Sequence, residues 1–234
     1  SAPMPSLGSL ASTAIDGLQS YLIHRIDRYL DSKGRTLLGW DEIMEGGVAP
    51  GAAVLSWRGF EPGVKAASAG HATVMAPGRF CYFDGYQDAP ATQPEAIGGY
   101  LPLELVYSFD PAPDSLSVDV KEHIKGVEAT LFTEYIATDD HAEYMLYPRL
   151  LALAEVAWTP QSLKEYDNFY TRALAANDRL ARDGYNVFDM RSEVGNRKEA
   201  LAPVSHLALN KKVVYNDCNW SKGYPAAEAK TLTD

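Results

Sequence analysis

The chain has 234 residues, 46% of them hydrophobic, enough to build one substantial core with part of a second unit. Its formal charge is −10 and it carries no Lys/Arg-rich run, so the basic footprint of a nucleic-acid or anionic-membrane binder is missing. The longest apolar stretch, Leu146 to Trp158, is interrupted by Arg149 and Glu155 and is too short to cross a bilayer; it reads as a buried helix.

In chain order, residues 1 to 16 read as a linker, and within it Ser1 to Ser9 has small residues and prolines without the charged, then apolar, order of a signal peptide. Asp16 to Gly34 then has the marks of an amphipathic helix: Asp16 as cap, an apolar stripe of Leu18, Leu22, Ile26, Tyr29 and Leu30, and Gly34 as stop. Thr36 to Trp40 is a short apolar run ending in Asp41-Glu42, as a buried parallel strand does when its polar residues begin at its C-terminal end. Ala52 to Leu55 repeats the pattern into Ser56-Trp57-Arg58-Gly59, with a helix from about Pro62 to Ala69 and a third strand over Thr73 to Ala76.

Residues 77 to 118, rich in Gly, Pro, Tyr and Asp, predict a long loop, of the kind that carries a binding surface inside a compact domain. A fourth strand is predicted over Gly126 to Phe132, with helices over Ala142 to Ala157 and Ser162 to Arg182. Strands alternating with helices predict an α/β protein with a parallel sheet, and four such strands are half of an eight-stranded (β/α)8 barrel. Residues 186 to 234 change character: His206 to Tyr215 reads as extended structure and Tyr224-Pro225-Ala226 as a turn.

Three strands end in an aromatic followed within two residues by a charged side chain: Trp40-Asp41-Glu42, Trp57-Arg58 and Phe132-Thr133-Glu134. The remaining one delivers Tyr82-Phe83-Asp84 shortly beyond its end. In a parallel barrel these positions converge on the C-terminal face, where barrel active sites lie. An aromatic wall rimmed by carboxylates suits a sugar, whose C–H faces pack on π surfaces while Asp and Glu hold the hydroxyls. Any one such aromatic is ordinarily core filler and a lone Glu134 ordinarily a surface charge; four in register favour a site. Trp158, within a helix, is assigned to packing. The five histidines show no metal-ligand spacing, and no GxSxG or glycine-rich phosphate loop occurs. No cofactor or metal is expected. Cys81 and Cys218 read as free thiols, since their spacing matches no disulfide framework.

As a set, GWDEI (39 to 43), SWRG (56 to 59), YFD (82 to 84), GYLPLELVYSFDP (99 to 111), LFTEYI (131 to 136) and EYMLYPRLLALAEVAWT (143 to 159) resemble, in the same order, the β-N-acetylhexosaminidases of glycoside hydrolase family 20. The resemblance covers about residues 17 to 185 and implies the C-terminal half of the catalytic TIM barrel; the stretch after residue 186 is similar to the start of the β-sandwich that follows in bacterial members. It implies substrate-assisted, retaining exo-hydrolysis in which the 2-acetamido oxygen attacks the anomeric carbon while a Glu protonates the leaving oxygen. In the family, that Glu and an assisting Asp sit in an HxGGDE motif. No HxGGDE occurs in this sequence, and Asp41-Glu42 belongs to the next strand.

The resemblance assigns to Tyr82 the hydroxyl that donates to the acetamido oxygen, and to Trp40 and Trp57 the walls around the acetamido methyl. Asp84 and Glu134 would hold sugar hydroxyls. Phe132 departs from the family, where a Trp lies under the sugar ring, so weaker or altered recognition is expected there. The partners implied are N-acetylhexosamine-terminated glycans and either the missing N-terminal barrel half or a second copy meeting at exposed strand edges. The compartment implied is periplasmic, secreted or cell-surface in a bacterium. Two expectations follow: a hexosaminidase fragment that is inactive alone, or a non-catalytic glycan-binding or self-associating half-barrel.

Overall fold

The structure is a computed structural model and describes residues 14 to 195. The reading of residues 186 to 234 as linker and sandwich start lies mostly outside those residues, as do Cys218 and most of the N-terminal linker. Four strands form one parallel sheet in the order β1 (Leu38–Trp40), β2 (Ala53–Ser56), β3 (Thr73–Met75) and β4 (Ile124–Val127). Neighbours in the sheet are neighbours in the chain, the strand order of consecutive β/α units. The register pairs Trp40 with Leu55 and Ser56 with Met75, which brings the polar C-terminal ends of these strands to one edge.

Helix α2 (Phe60–Ser68) crosses back from β2 to β3 and packs on both. Its Gly63 has a packing reason, since a Cβ there would lie 2.4 Å from Met75 Sδ. The main core gathers Leu55, Met75, Phe83, Val106, Phe109, Leu153 and Phe169 between the sheet and the later helices. A second cluster, Ile43, Ala49, Val54 and Ala66, sits under the turn that follows β1.

The stretch 77 to 118 is less of a surface than predicted. It holds α3 (Gly78–Cys81), a 3-10 turn and α4 (Leu103–Ser108), and contributes Phe83, Leu101, Leu103, Val106 and Phe109 to the core. A further short helix, α5 (Val118–His123), leads into β4. The fourth strand begins and ends earlier than predicted. Glu128 N still donates to Met75 O (3.2 Å), but the chain then turns through Pro77 into α3, so no continuous partner strand is there for residues 129 to 132. They pair instead with the returning segment: Thr130 N donates to Cys81 O (2.8 Å) and Phe83 N to Thr130 O (2.7 Å).

The predicted single helix over 142 to 157 is two, α6 (Asp139–Leu146) and α7 (Arg149–Trp158), because Pro148 has no N–H to continue the ladder. Helix α8 (Tyr166–Arg182) starts later than predicted, after a separate 3-10 turn at Gln161–Leu163, and stops where expected, with Gly184 at φ 96°. Two further corrections concern exposure. Trp158 is 87% exposed at the end of α7, so packing does not account for it. In α1 (Ala14–Asp31) the apolar stripe faces outward, Leu18, Leu22 and Tyr29 being 57%, 55% and 62% exposed. The helix sits on its small face: Gly17 and Ser20 are buried, and Ser20 Oγ donates to Gly47 O at 3.1 Å.

Arg149 is the largest side chain sealed from solvent. Its guanidinium donates to Phe83 O (2.5 Å), Gly85 O (3.0 Å), Leu101 O (3.2 Å) and Met145 O (2.6 Å), and lies over the Phe83 ring at 5.0 Å. Burial lowers its pKa to about 9, which leaves it charged near neutrality. Arg149→Met leaves four carbonyls without this donor, and we expect a loss of about 3–5 kcal/mol in urea denaturation. Arg149→Lys should recover only part of it, because an ammonium cannot span the fork. Near-normal stability of the Met variant would show that the carbonyls find other donors.

Candidate active site

The site is built where the strands end. After β1 the chain enters a 3-10 turn, Asp41–Met44, which turns the Asp41 and Glu42 side chains toward the end of β2. The fully buried Asp41 carboxylate accepts from the backbone N–H of Trp57 (3.0 Å) and of Arg58 (3.1 Å), and pairs with Arg58 Nε. Glu42 accepts the Trp57 indole N–H on both oxygens, at 2.9 and 3.0 Å. Arg58 also reaches Glu45 at 2.6 Å, and its pKa is raised by that bond foremost and by Asp41. The Asp41-Glu42 dipeptide therefore grips the Trp57-Arg58 dipeptide on the neighbouring strand.

Tyr82 follows α3, and the ladder bonds around Thr130 hold it beside the end of β4. Its ring stacks on Trp57 (centroids 6.2 Å, 29° between planes) and meets Phe132 edge-on (5.9 Å, 64°). Burial foremost, then the charges of Asp84, Glu42 and Asp41, pushes the Tyr82 phenol up to about 12, so it is a hydroxyl donor throughout the physiological range. Trp40, Glu42, Trp57, Tyr82 and Phe132 line one cavity of about 590 Å³, which continues along β1 past Leu38 and Leu37 to Ile23 of α1.

Of the six residues singled out from the sequence, the fold brings Trp40, Trp57, Tyr82 and Phe132 into this cavity. Asp84 and Glu134 stand outside its lining: Asp84 is buried, and Glu134 is exposed. Glu42, Asp41 and Arg58 went unassigned. Their pairing was implicit in the register, since a residue just past Trp40 must lie level with one just past Leu55. Among the described residues no group of three His, Cys, Asp or Glu is placed to hold a metal ion. Cys81 is a buried free thiol, pushed up to about 12 by burial and by Glu128.

The family description "Glycosyl hydrolase family 20, catalytic domain" matches residues 5 to 161. The chain belongs to glycosyl hydrolase family 20. A β-hexosaminidase of Porphyromonas gingivalis is 45% identical over 170 residues, covering 72% of this chain and 22% of that protein. A β-N-acetylhexosaminidase of Cellulomonas fimi is 34% identical over 142 residues, covering 59% and 28%. The chain thus spans between 22% and 28% of the length of these relatives.

The crystal structure of a family 20 exo-β-N-acetylglucosaminidase from Vibrio harveyi, in complex with N-acetylglucosamine, matches with a TM-score of 0.69. Its identity is 28%, over 78% of this chain and 29% of that one. A Flavobacterium johnsoniae chitobiase matches at 0.62 and 28% identity, over 76% and 26%. The four-stranded sheet with its helices is a sector of the family's (β/α)8 barrel. The chain is a glycoside hydrolase by family and its curated relatives are bacterial β-hexosaminidases. No described helix is long and apolar enough to cross a membrane.

Asp84 offers a test of the site's electrostatics. Burial foremost raises its pKa above the ordinary 3.8, its own backbone hydrogen bond and Arg149 oppose the rise, and Glu134 adds to it. The folded chain thus holds this proton more tightly than the unfolded one. Stability from the group is present below the unfolded pKa and is lost as pH rises through the raised folded value. Asp84→Asn removes the titration, so its stability relative to the unsubstituted chain should be more favourable at about pH 7 than at about pH 4 in urea denaturation. The reverse order would mean that attraction to Arg149 outweighs burial.

Proposed function

We propose that this chain supplies the acetamido-recognising side of an exo-acting β-N-acetylhexosaminidase site, and that the general acid and the assisting Asp come from outside it. The observation that carries the proposal is the meeting of Trp40, Trp57, Tyr82 and Phe132 around one cavity, with a phenol kept protonated by burial and neighbouring carboxylates. In this proposal the indoles of Trp40 and Trp57 enclose the acetamido methyl. Tyr82 donates to the acetamido oxygen, whose developing charge a fixed donor stabilises as that oxygen attacks the anomeric carbon. Asp84 and Glu134, two residues beyond Tyr82 and Phe132 in the chain, are assigned the sugar hydroxyls. Phe132 supplies the floor with less surface than an indole. The substrates are glycans ending in N-acetylhexosamine. The catalytic unit is assigned to residues 17 to 185, with 1 to 16 as linker and 186 to 234 as linker and the start of a β-sandwich. The bacterial relatives fit a periplasmic, secreted or cell-surface setting for it.

The Asp41-Glu42 pair does not supply the acid. Asp41 is committed to two amides and Arg58, and Glu42 to the Trp57 indole. The chain alone should therefore bind N-acetylglucosamine in a calorimetric titration while leaving a chromogenic N-acetylglucosaminide uncleaved. Tyr82→Phe should weaken binding about tenfold, the worth of a hydrogen bond to a polarised acceptor. Phe132→Trp should strengthen it by added stacking area. Robust hydrolysis by the chain, unaffected by Tyr82→Phe, would overturn the proposal.

The exposed stripe of α1 and the edge strand favour a second statement about partners. Leu18, Leu22, Ile26 and Tyr29 with Leu38 and Trp40 form an apolar surface beside an unpaired strand edge, a strong drive toward association. We propose that the other barrel half covers it and that, without that half, copies of the chain cover one another. Light scattering should then give a mass above the monomer, reduced by the pair Leu22→Glu and Ile26→Glu. A monomer at all concentrations counts against it.

A further inference from the structure

We propose that Glu42 is a positioning residue for sugar recognition, acting through Trp57; the proposal rests on the acetamido-pocket function proposed above. Trp57 is held at both ends by one dipeptide. Asp41 takes its backbone N–H at 3.0 Å, which fixes where the residue starts. Glu42 takes its indole N–H across both carboxylate oxygens, at 2.9 and 3.0 Å, which fixes how the ring is turned. An indole has a single N–H, so this bond is the only polar restraint available to the ring, and a charged acceptor makes it a strong one.

Glu42 is itself set in place. Its residue lies in the Asp41–Met44 turn, and its carbonyl accepts from Glu45 N at 3.0 Å and from the Gln19 side chain at 3.1 Å. The lock runs from α1 through this turn to the ring that stacks on Tyr82. Trp57 also packs against the main core and stacks on Tyr82, and to these apolar contacts the bond to Glu42 adds the directional restraint on the ring. A Trp57 free to turn would spoil both the methyl slot and its stacking with Tyr82. A displaced wall of this kind costs affinity without removing any group that touches the sugar.

Because Glu42 also lines the cavity, direct contact with the sugar is the competing role, and a double-mutant cycle separates the two. The full chain is titrated with N-acetylglucosamine as Glu42→Leu, Glu42→Gln, Trp57→Phe, and Glu42→Leu with Trp57→Phe. In parallel the solvent exchange of the Trp57 indole N–H is followed by nitrogen-15 NMR, its signal identified by its loss in Trp57→Phe. Positioning through Trp57 gives a loss of about tenfold in Glu42→Leu with faster indole exchange, and recovery of most of that loss in Glu42→Gln, which keeps an acceptor. It also gives no further loss from Glu42→Leu once Trp57 is Phe. Additive losses would overturn the proposal in favour of direct contact, and unchanged indole exchange in Glu42→Leu would overturn it as well. Failure of the unsubstituted chain to bind N-acetylglucosamine would sink the acetamido-pocket function itself, an outcome distinct from binding that ignores Glu42.

Discussion

The candidate site depends on a cation that never touches it. Arg149 enters at the start of α7 and spends its guanidinium on the carbonyls of Phe83, Gly85, Leu101 and Met145. Three of them, on Phe83, Gly85 and Leu101, belong to the stretch between α3 and α4, whose only regular element is one 3-10 turn, and the fourth, on Met145, ties that stretch to α6. Tyr82 and Asp84 flank Phe83, whose ring lies under the guanidinium. One buried fork thereby converts a long excursion from the sheet into a fixed arm. The cost of burying the charge is offset by the number of carbonyls it satisfies, and the same charge draws on Asp84.

A second restraint works along the sheet edge. Parallel pairing puts residues just past β1 level with residues just past β2, and a carboxylate there can reach both a backbone amide and a side chain of its neighbour. Asp41 uses that reach to close the end of β2, and Glu42 uses it to orient an aromatic. Both strands are short, three and four residues, so side chains beyond their ends do work that a longer ladder would otherwise do.

What could be read from the sequence follows from how local each signal is. β1, β2 and β3, the end of α8 and the convergence of Trp40, Trp57, Tyr82 and Phe132 rest on short apolar runs and the aromatics after them, and these were legible. The errors came from contacts distant in sequence. The stripe of Leu18, Leu22 and Tyr29 has the period of a buried face, yet Gly17 and Ser20 are what the 41 to 51 segment accommodates. The period of a stripe shows that a face is apolar and is silent on what covers it. The strand over 126 to 132 lost its ladder because β3 diverts at Pro77, a fact about the neighbour. The break at Pro148 was the exception, a local signal in plain sight within an apolar run. A lone Arg149 in that run carried a further clue: a cation among so many apolar residues is buried and must have partners.

The charges around Tyr82 set what kind of ligand this wall can hold. Burial foremost, with the charges of Asp84, Glu42 and Asp41, holds the Tyr82 proton in place, and Arg58 is paired with Asp41 and Glu45. Such a surface favours a ligand that accepts one hydrogen bond, presents apolar C–H faces and develops positive character. In the function proposed above, the acetamido group of a sugar passing toward an oxazolinium ion would do all three. A general acid needs a carboxyl group whose oxygens are free to give up a proton in the cavity. Here Asp41 and Glu42 have their oxygens occupied by N–H donors, and Asp84 is buried outside the cavity's lining. In the function proposed above, protonation of the leaving oxygen falls to a group outside these residues, in keeping with the edge position of β1 and the outward stripe of α1.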